Sequence, residues 1–238
     1  MKRLLFSMTA LLICGTALAA PSAKTTKGII QIGDLKRPEG AVQLLGETEN
    51  HFIPAGKEAS LWVFKDGVLT ASPEWDSVVT PTPYRDFQMH LEFNVNEVAD
   101  AKNPEDNGNS GVYIQQRYEL QILNSFGISA ENFEESYCAS IYKIKKPDQL
   151  VCKKAGEWQT YDIVFRSARF EGNTKTENAR ITVYHNGVLV HDDFEIPKKT
   201  GVGQKEGPEA GLIKLQGHHN PVSFRNIWIK ELILEKSP

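Results

Sequence analysis

Three cysteines in 238 residues are few, and no two of them are spaced as CxxC. That spacing would mark a zinc knuckle or a thioredoxin-like redox pair, so neither motif is present. Positive charge is scattered as well. No lysine or arginine run exceeds two residues, and the formal net charge is -3. A nucleic-acid binder needs a basic stripe or patch, so that class is excluded. After residue 20 no stretch is apolar enough to span a bilayer, so no transmembrane segment is expected. Neither an amphipathic helical period nor an internal repeat stands out, which leaves helical bundles and solenoids without support.

What is present begins with a targeting segment. Lys2 and Arg3 precede a short apolar run from Leu4 to Cys14, and Ala17-Leu18-Ala19 is a small-x-small cleavage signal. Ile13 stands before Cys14 where lipid attachment wants a small residue. The expectation is an exported protein, periplasmic or secreted. Residues 1–20 read as signal, 21–59 as a polar tether and mixed lead-in, and 60–238 as the domain. Export leaves Cys138 and Cys152. An even pair in an oxidising compartment is expected to form a disulfide, closing a loop of about fifteen residues. A catalytic thiol or a metal pair is the alternative.

From Ser60 onward short strands alternate with turns. Asp66-Gly67 and Asn186-Gly187 are hairpin turn pairs, each between apolar runs. Residues 84–95 alternate with Phe87, Met89, Leu91, Phe93 and Val95 on one side. Residues 99–108 form a polar loop. Residues 125–157 hold both cysteines, show no period and make a long loop of the kind that covers a site. Strand follows strand to the end of the chain. The expectation is all-β: a two-sheet antiparallel β-sandwich, a jelly roll with one concave, solvated face.

The stretch NSGVYIQQRYELQILNS, residues 109–125, reads as two adjacent strands. Alternation sends Val112, Ile114, Tyr118, Leu120 and Ile122 to the core. Tyr113, Gln115, Glu119, Gln121 and Leu123 then share the opposite face. Some glucanases carry acids at every second residue of such a strand. Here Glu119 is followed by Gln121 and then Leu123 or Asn124, so one carboxylate survives. Ordinary glycoside hydrolysis needs two. A solvated sheet face with Glu119 simply exposed is the bland alternative.

NSGVYIQ-x-x-YELQILNSFG resembles the 3-keto-disaccharide hydrolase domain family, a laminarinase-like and concanavalin A-like jelly roll. GEWQTYDIVFRSARF, ARITVYHNGVLVHD and KLQGHHNPVSFRNIWIKEL follow in the family's order, and CASIY with VCKK is similar to its paired-cysteine version. The resemblance covers about residues 60 to 235. It implies cleavage of a glycoside already oxidised to a ketone at sugar C3. A base removes the acidified C2 hydrogen and the C1 leaving group departs, helped by an acid or a divalent metal. Glu119 and His218 are the expected catalytic groups. Tyr113, Gln115, Gln121, Asn124, Lys214, Gln216 and His219 are the expected substrate contacts. Asn124 stands where the family carries Asp, and Gly217-His218-His219-Asn220 where it carries Asp-His-Gly-Asn. The partner is a carbohydrate or keto-sugar. A non-catalytic carbohydrate-binding module of lectin-like fold is the other reading. Arg225, Asn226 and Trp158 read as packing residues, Trp158 less clearly.

Overall fold

A computed structural model describes residues 37–56, 58–98, 101 and 103–234. The expected signal segment lies outside the described residues, as does the first part of the tether. Among the described residues there are fifteen strands: β1 Val42–Leu45, β2 Ile53–Pro54, β3 Val63–Lys65, β4 Val68–Thr70, β5 Val78–Val79, β6 Phe87–Asn94, β7 Ser110–Ile114, β8 Tyr118–Ile122, β9 Gln159–Arg166, β10 Arg169–Glu171, β11 Thr174–Glu177, β12 Ala179–His185, β13 Val188–Ile196, β14 Lys214–Leu215 and β15 Ser223–Glu231. One short 3-10 turn, Pro104–Asp106, is capped by the Asn103 side chain.

The strands build a two-sheet antiparallel sandwich. The larger sheet runs β13-β12-β9-β6-β15-β4-β3, with β1 also paired to β15. The smaller sheet runs β2-β5-β14-β7-β8, and β10 and β11 form a separate ribbon. The sheets therefore take in β1 and β2, which precede the expected domain start at residue 60. Phe87, Met89, Leu91 and Phe93 of β6, with Tyr161, Ile163 and Phe165 of β9, bury one inner face. Val112, Ile114, Tyr118, Leu120 and Ile122 bury the other. Both inner faces follow the alternation in the sequence, because side chains two apart share a face.

The Asp66-Gly67 and Asn186-Gly187 turns form with both residues at positive φ, as two-residue hairpins require. The β7–β8 turn does the same with Gln115 and Gln116, each at φ 55. A left-handed non-glycine residue is strained, and the Gln115 side chain offsets the strain. Its Nε2 donates to the Tyr84 carbonyl at 2.9 Å and to Ser167 Oγ at 2.7 Å, while its Oε1 accepts from Arg117. Gln115 is thus a buried turn anchor and not a residue of the open face, as its place in the alternation had suggested. Leu123 departs from the pattern too. The strand ends at Ile122, and Leu123 turns into the core.

Residues 137–142 extend the smaller sheet past β8. Ala139 N–H donates to the Gln121 carbonyl, Gln121 N–H to the Ser140 carbonyl, and Tyr142 N–H to the Glu119 carbonyl. This part of the long irregular loop therefore flanks β8 along the edge that β7 leaves unpaired.

Candidate active site

In the smaller sheet, register places Ile53, Val79, Lys214, Tyr113 and Glu119 side by side across all five strands. All five project away from the sandwich core. In the next row Gln121 lies opposite Gly111, and Gln216 N–H donates to the Gly111 carbonyl at 3.0 Å. The result is one acid among a phenol, an ammonium and two amides.

Gly111 shapes this group. A Cβ there would stand 2.6 Å from Glu119 Oε1 and 3.3 Å from Gln216 Oε1. The carboxylate therefore rests over bare backbone, in space that any other residue would fill. On the edge of β8 away from β7, the Thr200 hydroxyl accepts the Glu119 N–H at 2.8 Å. Tyr142 closes that side, and its hydroxyl donates to Glu105 Oε2 at 3.2 Å.

Glu119 is 4% exposed. Burial pushes its carboxyl up to about 7, and Glu105 adds to the rise, while the Tyr113 hydroxyl and the Lys214 and Lys143 charges oppose it. Burial and the Glu119 charge push the Tyr113 phenol well above its ordinary value, so it stays protonated. Burial lowers Lys214, against the pull of Glu119, and its Nζ lies 3.8 Å from the Tyr113 ring centroid. A carboxylate tuned near neutrality is suited to take a proton at working pH. Two amide oxygens, Gln121 Oε1 and Gln216 Oε1, are buried without a partner. Sugar hydroxyls are donors that would satisfy them.

The expected site residues thus divide. Tyr113, Glu119, Gln121, Lys214 and Gln216 come together. Gln115 does not, for the reason given above. Asn124 lies half-buried past the end of β8, its N–H donating to the Asn107 carbonyl. His218 and His219 sit on the rim, where both imidazoles pack against Trp75. Burial lowers His218, and the charges of Glu105 and Asp106 oppose that. Asn220 ties this rim to the 104–108 loop by accepting the Gly108 N–H at 3.0 Å. Glu105, Tyr142, Gly111 and Trp75 were not singled out from the sequence. Arg225 and Asn226 lie on the far sheet, bonded to Glu92. The Arg225 guanidinium covers the Trp158 ring there.

Cys138 and Cys152 correct one expectation: both are free thiols. Their pairing in space is nevertheless right, since both sulfurs and a His185 ring nitrogen lie within 4.8 Å of one another. This is the group of three metal-capable donors found among the described residues. His185 Nε2 sits 2.9 Å from Gln159 Oε1, and its Nδ1 is buried without a partner. Two sulfurs and an imidazole suit a thiophilic ion better than a hard one. The cluster lies behind the site wall. Cys138 Sγ is 3.3 Å from the Tyr161 hydroxyl, which donates to the Gln121 carbonyl.

Residues 40–230 match the model of the 3-keto-alpha-glucoside-1,2-lyase-like domain. The chain belongs to that family. Among solved structures, a candidate glycosyl hydrolase from Parabacteroides distasonis is 31% identical to this lyase-like domain, with a TM-score of 0.73. The match covers 82% of this chain and 85% of that one. A second candidate glycosyl hydrolase from the same organism is 18% identical, with a TM-score of 0.62, over 82% of this chain and 95% of the other. The alginate lyase Aly36B, at 10% identity and a TM-score of 0.50, covers 83% of this chain and 99% of its own; both of these share the fold. No curated protein matches the chain. The lyase-like domain is therefore a carbohydrate-active, glycosyl-hydrolase-like β-sandwich. Among the described residues no helix is long and apolar enough to cross a membrane.

Proposed function

We propose that this is an exported enzyme that cleaves 3-keto-glycosides by elimination. The C3 ketone acidifies the C2 hydrogen. Glu119 takes that proton, and the electrons of the C2–H bond form an enolate. When the enolate collapses, the C3 carbonyl re-forms, C1=C2 forms and the C1–O bond breaks. The leaving oxygen takes a proton, and water can then add to the unsaturated sugar. Lys214 supplies positive charge beside the developing enolate. Gln121 and Gln216 orient sugar hydroxyls through their free oxygens. His218 is the proposed proton donor to the leaving oxygen, working from the rim. A divalent ion, if the reaction uses one, would find Glu119 and the two amide oxygens as hard donors.

The observation that carries this reading is Glu119 itself: a buried carboxyl tuned to about 7, facing amides where a two-acid glycosidase strand would carry more acids. The test is incubation with 3-keto-sucrose or 3-keto-lactose beside the unoxidised sugars, with and without divalent metals. The reading expects release of the second sugar from the keto form alone, and none with Glu119→Gln. Binding of unoxidised glycan without turnover of either form would favour a binding module.

Glu105 supports a second reading. It is close enough to raise Glu119 and would supply the other acid of ordinary hydrolysis. That reading expects turnover of unoxidised disaccharide and its loss in Glu105→Gln.

A further inference from the structure

Trp75 is 64% exposed on the loop between β4 and β5. Its ring centroid lies 4.2 Å from that of His218 and 4.4 Å from that of His219, with interplanar angles of 65° and 82°. The two imidazole centroids are 6.2 Å apart. Sides of 4.2, 4.4 and 6.2 Å make a triangle with nearly a right angle at Trp75. Two rings seen at a right angle cannot sandwich the indole, so at least one of its faces is free of both imidazoles, and the side chain as a whole is mostly exposed.

The loop that carries Trp75 is held from both sides. Asp76 Oδ2 accepts from Ser60 Oγ at 2.8 Å and from Leu61 N–H at 2.6 Å. The Asp76 carbonyl accepts from Trp62 Nε1 at 3.0 Å, and Ser77 Oγ accepts from Gly217 N–H at 3.2 Å. A Cβ at Gly217 would lie 1.7 Å from the Asp76 carbonyl oxygen, so only glycine lets the loop sit this close. His219 takes φ 59, and its Nδ1 donates to the Pro73 carbonyl at 3.0 Å. An exposed indole on so fixed a loop is a preformed surface.

That surface opens on the site. A groove of about 920 Å³ is lined by Trp75, Asp76, Ser77, Leu61, Gln116 and Lys214. Lys214 also neighbours Glu119, so groove and carboxylate share a wall. β8, which carries Glu119, and β5, which follows the Trp75 loop, are three strand spacings apart. At about 4.8 Å per spacing that is about 14 Å, more than one pyranose ring.

We infer that Trp75 is a stacking platform for the second sugar ring, on the leaving-group side. The site then favours a leaving group that is itself a sugar ring over a small alcohol. The C–H face of a pyranose is apolar and flat enough to lie on an indole, while its hydroxyls point outward to Asp76 and Ser77. This inference rests on the proposed keto-glycoside cleavage.

The test compares Trp75→Ala and Trp75→Phe on a 3-keto-disaccharide and on methyl 3-keto-glucoside. The expected result is a loss of about tenfold in kcat/KM for the disaccharide, carried by KM, about the size of one aromatic stacking contact. The loss is smaller for the methyl glycoside, and Phe restores part of it. Equal losses on both substrates, or none on the disaccharide, overturn the inference. A calorimetric titration of Glu119→Gln with unoxidised disaccharide, with and without Trp75→Ala, separates the two proposals. If no keto-glycoside is cleaved, the elimination reading fails. Weaker disaccharide binding on loss of Trp75 still supports the platform, and unchanged binding removes it.

Discussion

Replacing Glu119 with Gln should stop turnover and stabilise the fold, and the stabilisation should depend on pH. In the native state this carboxyl titrates at about 7, against an ordinary value of 4.5. A raised carboxyl means the folded chain binds more protons than the unfolded one between those values. Stability therefore falls as pH rises from about 4.5 to 7. At about 1.4 kcal/mol per tenfold change in proton affinity, the full effect is about 3 kcal/mol at pH 8. Gln has nearly the same shape and no charge to bury. The variant should melt roughly 6–12 °C above the parent at pH 8, given about 2–4 °C per kcal/mol for a chain of this size. At pH 5 the parent is already protonated in the fold, and the gain shrinks to under about 1 kcal/mol. Differential scanning calorimetry at the two pH values reads this directly. Equal melting temperatures at pH 8, or a gain of the same size at both pH values, would refute the burial argument and with it the tuned base.

Three more predictions test separate parts of the structure. Burial acts to lower His90, but its bonds to Asp162 and Glu92 outweigh that and raise it to about 9. This stabilisation is complete below pH 6.5 and is lost as pH rises through 9, so Asp162→Asn should cost about 3 kcal/mol at pH 7 in urea unfolding and flatten that loss. Asp162→Asn as stable as the parent would remove the argument. Gly111→Ala displaces the Glu119 carboxylate and should lower kcat about 100-fold, with little change in melting temperature; full activity would show that the cradle is unimportant. Oxidation of the purified protein should join Cys138 to Cys152, seen as a mass loss of two hydrogens, and stabilise it by about 3 kcal/mol. Unchanged mass after oxidation would leave a metal, or nothing, as the role of the Cys138–Cys152–His185 cluster.

Much of the site was legible because strands carry it. Glu119, Gln121 and Tyr113 follow from a period of two, while Lys214 on β14 and Gln216 just past it came from the family resemblance. What stayed hidden lies where that rule stops. Gln115 breaks the alternation through a left-handed turn, and Gln-Gln carries no glycine or asparagine to announce it. Leu123 stands one residue past a strand end. β1 and β2, at four and two residues, are too short to show a period against a mixed lead-in. Trp75 and Glu105 sit in loops, where position depends on contacts distant in sequence: Gly217 against Asp76 for one, Asn220 against Gly108 for the other. Local sequence does not encode such contacts.

If Glu119 removes the C2 proton of a 3-keto-glycoside, the C2–H bond breaks during cleavage. The most direct measurement is the rate with substrate deuterated at C2, read beside the unlabelled compound. The deuterated substrate should be cleaved more slowly and lose its deuterium to solvent, and Glu119→Gln should cleave neither. Equal rates with deuterium retained at C2 in the released sugar would contradict this proton removal, because direct hydrolysis at C1 leaves that bond intact.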